Sequence, residues 1–180
     1  DAMFAEPEGS VLLLLCVVLC GLASMNFMTA PSVSLEGKSI WLLQSLPVEP
    51  WRIFRAKISM QLLLTGLPLL LCVMCTVTVY SMYSLQLLMI LLFGGSYILL
   101  MALIGLFLGV KMATLTWTNE IMPIKQGGAV IITLLCGFVY MVLLFVGFML
   151  MPGWKLGFCR YISCFVGGNL FLSVYFYLWL

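Results

Sequence analysis

Five long apolar runs decide what this chain can become. They cover residues 10–28, 58–80, 85–110, 128–150 and 161–180, and none carries an Asp, Glu, Lys or Arg away from its ends. About 20 such residues are needed to cross the hydrocarbon layer of a bilayer as a helix. In lipid, the backbone must satisfy its own hydrogen bonds, so these runs are expected to be helices. The alternating apolar and polar pattern of a membrane barrel is absent. Composition closes the soluble alternative. Apolar residues make up 64% of the 180 and charged residues 8%, against about 25% charged in a soluble domain. Fourteen charges cannot cover the surface of a water-soluble fold of this length. The expected fold is all-α: one polytopic transmembrane helix bundle over residues 1–180, with about five spans and one short interfacial helix.

Sidedness follows from basic residues in the short loops. The segment 29–57 carries Lys38, Arg52, Arg55 and Lys57, and 111–127 carries Lys111 and Lys125. Alternate crossing puts both on one side, which the charge bias makes the cytoplasm. The N-terminal stretch with Asp1, Glu6 and Glu8 is then outside, together with Lys155 and Arg160. The plasma membrane is the expected location. Residue 1 is Asp, and no basic region of a signal peptide precedes the first run, which leads to the expectation of a fragment of a longer chain.

Catalytic chemistry has little to stand on. The chain has no His, the commonest general base and metal ligand. Gly37-Lys38-Ser39 resembles the tail of a phosphate-binding loop, but Ser32 stands where its first Gly is needed. Cys72 and Cys75 have a CxxC spacing inside an apolar run, where small apolar filling is the simpler role. No catalytic residue, resident cofactor or metal is assigned, and no nucleic-acid partner. Gly105 and Gly109 form a GxxxG motif expected to let another helix approach closely. Gln61 and Asn169 are polar side chains within spans, read as candidates for lining a pathway or as links between helices.

One long polar segment remains, "SLEGKSIWLLQSLPVEPWRIFRAK", residues Ser34 to Lys57. A helix begun at Leu35 places Leu35, Leu42 and Leu46 on one face and Gly37 and Gln44 opposite. Pro47 ends it, and Pro50 suits the first turn of the next helix. Such a helix would rest in lipid headgroups or dock a cytoplasmic partner. Its residues resemble the cytoplasmic loop of bacterial ABC-2 type transporter permeases of the long Gram-positive type. The likeness rests on Glu36, Gly37, Lys38, Trp41, Ser45, Leu46, Pro47 and Lys57. A second loop, "WTNEIMPIKQGG", is similar to that family's next cytoplasmic loop through Trp117, Asn119, Glu120, Lys125, Gln126 and Gly127. Gln44 departs from the Lys often found before the "SLP" turn. Together the motifs cover about a fifth of the chain.

The resemblance implies the C-terminal half of a permease that forms the pathway of an ABC exporter. A separate cytoplasmic ATPase would bind and hydrolyse the ATP, docking through Glu36, Gly37, Lys38, Trp41, Leu42, Leu46 and Pro47, with 35–46 as the coupling helix. A second permease half, or a second copy, would complete the pathway. The competing expectation is a non-transport membrane scaffold or assembly-machine subunit whose interfacial helix rests on lipid.

Overall fold

A computed structural model describes residues 7–37, 45, 47, 49–79, 84–113, 127–150 and 158–180. They form six helices: α1 (Pro7–Ser24), α2 (Thr29–Glu36), α3 (Pro50–Val79), α4 (Ser84–Lys111), α5 (Gly128–Leu150) and α6 (Phe158–Trp179). No strand occurs among the described residues. Five segments are long and apolar enough to cross a membrane: Leu14–Glu36, Pro50–Thr78, Ser84–Lys111, Gly128–Leu150 and Cys159–Trp179. The molecule is a helical bundle of a multi-pass membrane protein.

α4 is the centre of the bundle. It packs against α1, α2, α3, α5 and α6, and its span is 56% buried against 17% for that of α6. Ile90, Phe93, Tyr97 and Met101 of α4 meet Cys16 and Leu19 of α1, Leu69 and Val73 of α3, Leu144 of α5 and Ile162 of α6. The outward faces are as apolar as the interior: Leu63, Leu67 and Met74 of α3 and Phe171 and Leu178 of α6 are exposed. Water would not tolerate such faces; acyl chains suit them.

The start of the expected loop at residue 29 is corrected by the fold. The first helix stops at Ser24, and the chain resumes as α2, in which Thr29, Ala30, Pro31, Val33 and Ser34 are buried. Pro31 accounts for the interruption. In a continuous helix its ring would collide with the carbonyl of Phe27, four residues back. In the first turn of a new helix its missing N–H leaves no bond unmade. α3 then begins at Pro50, also a first-turn position, and contains Pro68. The expected helix over 35–46 is only partly within view: Leu35 and Glu36 close α2, whereas 38–44 and 46 lie outside the described residues.

Candidate functional site

Between Ser24 and Thr29 the backbone loses the regular bonds of a helix, and residue 28 supplies no side-chain cap. An open N–H and C=O inside a bundle need partners. Gln61 of α3 supplies both. Its Oε1 accepts from the Thr29 N–H at 2.8 Å, and its Nε2 donates to the Asn26 carbonyl at 3.0 Å. One turn further along the same face of α3, the Thr65 hydroxyl accepts from Asn26 Nδ2 at 2.9 Å. Gln61 is 2% exposed. A single primary amide, with one acceptor and one donor end, thus bridges the two sides of the break.

α2 is held from the other side by α4. A Cβ added to Gly105 would lie 2.5 Å from Thr29 Oγ1, and one added to Gly109 would lie 2.6 Å from the Ala30 carbonyl oxygen. Neither fits, so the GxxxG face is a seat that only glycine leaves open to the α2 backbone. Thr29 and Ala30 are the matching small residues. α2 is therefore clamped between a polar ladder on α3 and a flat glycine face on α4.

At its far end α2 stops at Gly37, whose φ of 21° lies on the positive side that glycine enters at least cost. There Lys57 Nζ meets Glu36 Oε1 at 2.7 Å, with side chains only 14% and 27% exposed. This ion pair joins the last residue of α2 to α3 and closes the base of the 37–56 segment. Both partners belong to the loop motif. Glu36, expected as a contact for a partner protein, has a partner within its own chain. Pro47 is exposed. Lys38, Trp41, Leu42 and Leu46, and with them Trp117, Asn119, Glu120 and Lys125 of the second loop, lie outside the described residues.

Asn169 lies elsewhere, at the meeting of α4, α5 and α6. It accepts from Tyr140 Oη at 2.8 Å and donates to Ser96 Oγ at 3.4 Å, and it is 1% exposed. Gln61 and Asn169 are thus both buried and both hydrogen-bonded between helices, at separate places in the bundle. Among the described residues no three His, Cys, Asp or Glu side chains are grouped as metal ligands would be. Sequence reasoning passed over Asn26 and Tyr140, whereas Thr65 and Ser96 stand out, like Gln61 and Asn169, as polar residues within spans. Asn26 carried a usable signal: an amide near the end of an apolar run, five residues before a proline, marks a place where a helix is interrupted.

Taken together, the arrangement is mechanical. A short helix links a polar loop at one end to a break in the first span at the other. Comparison with protein-family models, with curated proteins and with solved structures finds no match for this chain.

Proposed function

We propose that this chain is the membrane subunit of an ATP-binding cassette exporter of the ABC-2 type, driven by a separate cytoplasmic ATPase. The observation that carries the reading is the pair of loop motifs, residues 34–57 and 117–128, separated by two spans and so facing the same side. The geometry around the first loop supports it. The loop joins α2 to α3, and the Glu36–Lys57 pair ties the end of α2 to α3. A displacement of the loop by closing ATPase subunits would act on both helices at once. α2 would pass it to α4 through Gly105 and Gly109, and to the first span through the break held by Gln61. Two arrangements of α2 against α3 would then correspond to two exposures of the pathway. In this reading the loops are cytoplasmic, the membrane is the plasma membrane and the N-terminal stretch is outside. A second permease half or a second copy completes the pathway.

The test is docking. Leu42 and Leu46 are taken as the apolar anchors of the docking segment that follows Gly37, and burial of one anchor is worth about 1.5–3 kcal/mol. Its loss weakens docking roughly tenfold or more. Leu42→Asp places an unpaired carboxylate in the contact and is expected to be worse. Pull-down of the ATPase with wild type and with Leu42→Asp, alongside ATP hydrolysis, measures this. If Leu42→Asp captures and stimulates the ATPase as well as wild type does, the coupling role of this segment is wrong; capture of no ATPase by wild type would overturn the exporter reading.

A further inference from the structure

A groove opens along the bundle between α3 and α6, floored by α4. Its volume is about 360 Å³, within the range of about 300–1,000 Å³ typical of small-molecule sites. Ile58 and Leu62 of α3, Leu99 and Leu103 of α4, and Leu170 and Val174 of α6 form its walls. One end is closed by an aromatic and basic cluster: Trp51 packs on Tyr177 with ring centroids 4.9 Å apart, and Arg55 Nη2 reaches Tyr177 Oη at 3.4 Å. Such clusters mark the headgroup level of a bilayer.

Two polar groups in this groove lack the partners that their equivalents have. Among the described residues, Arg52 pairs with Glu49 and Lys57 with Glu36, but Arg55 has no carboxylate. Its guanidinium carries five donors, and the single long bond to Tyr177 uses one. Deeper in, Ser173 is 2% exposed, and its hydroxyl has no hydrogen-bond partner. Serine in a helix ordinarily bonds back to its own preceding turn, as Ser59 and Ser163 do here. Ser173 lies one turn from Tyr177, about 6 Å deeper along α6.

We propose that this groove binds one anionic phospholipid from the leaflet in which Arg55 lies. The phosphate sits on the Arg55 guanidinium, whose planar fork matches phosphate oxygens. An ester carbonyl, which lies just below the phosphate in a glycerolipid, accepts from Ser173 Oγ. The acyl chain lies against Leu62, Leu99 and Leu170. The order of groups along the groove, cation, then hydroxyl, then hydrocarbon, is the order of groups along the lipid. This site is independent of the transport reading, and its test needs no ATPase.

The purified protein in detergent is titrated with dioleoyl phosphatidylglycerol, dioleoyl phosphatidylcholine and inorganic phosphate, with retained lipid read by native mass spectrometry and stability by thermal melting. Wild type is expected to retain phosphatidylglycerol over phosphatidylcholine and to melt higher with it, and to ignore phosphate alone. Arg55→Ala, at an exposed position, should lower phosphatidylglycerol retention roughly fivefold and remove the preference. Ser173→Ala should weaken retention of both lipids while keeping the groove. Equal retention of the two lipids by wild type, an unchanged preference in Arg55→Ala, or equal stabilisation by free phosphate would each overturn the proposal. So would a dimer cross-linked through a cysteine placed at Val174, since a second copy would then fill the groove.

Discussion

Replacing Gln61 with Leu isolates what holds the break in the first span. Leucine matches the size of the side chain but offers neither donor nor acceptor, so the Thr29 N–H and the Asn26 carbonyl lose their partners together. If these were average polar contacts within a membrane, at about 0.6 kcal/mol each, the loss would be near 1 kcal/mol. They are backbone groups at an interruption, one of them fully buried, with no neighbouring turn to bond instead. Leaving each unsatisfied costs about 1–3 kcal/mol, and allowing for the half-buried Asn26 the total comes to about 2–4 kcal/mol. Thermal melting in detergent should therefore fall by several degrees, and the Thr29 amide should exchange its hydrogen faster. Thr65→Val, which removes only the Asn26 side-chain bond, should cost about 1 kcal/mol or less. If Gln61→Leu melts within a degree of wild type with Thr29 still protected, the break is not held by this amide and the reasoning fails.

Two glycines of α4 should respond to alanine with opposite signs: Gly109→Ala drives a Cβ to 2.6 Å from the Ala30 oxygen and should lose about 1–3 kcal/mol. Gly95→Ala, with nothing within 4 Å, should gain up to about 1 kcal/mol from helix propensity; melting of both variants decides. Glu36→Lys should destabilise the base of the loop by about 1 kcal/mol, and adding Lys57→Glu should restore it, read as a double-mutant cycle; an additive cycle would mean that the pair is only a proximity. Tyr140→Phe should lower stability by about 0.6–1.7 kcal/mol, less than Gln61→Leu, because Asn169 keeps its bond to Ser96.

The spanning helices were legible because the signal for them is long and redundant: twenty apolar residues read the same whichever neighbours they meet. α2 was not legible, for the opposite reason. "TAPSVSLE" is short and weakly apolar, and its burial depends on small residues fitting a glycine face more than seventy positions away. The GxxxG spacing announced a close approach without saying what approaches. Gln61 was visible as a polar residue in an apolar run, but such a residue looks the same in sequence whether it faces a pathway or bonds a neighbour. Only the position of Thr29 and Asn26 in space distinguishes the two. Sequence likewise marked Arg55 as part of a basic loop entrance, while the orphan hydroxyl of Ser173 beneath it depends on α6 folding back beside α3.

The central place of α4 has a consequence for how the protein is made. The glycine seat for α2 lies near the end of α4, so α2 leaves the ribosome well before the surface that receives it exists. At roughly 5–20 residues per second the wait is several seconds. During that time a segment holding Pro31, two serines and Glu36 has no glycine face to bury it, and only its contacts with α3 hold it. The packing of α2 is therefore completed only when residues 105–109 arrive, after α3 has already offered it Gln61 and Lys57. A slowing of synthesis before residues 105–109 have left the ribosome would lengthen the time that α2 spends without its glycine seat.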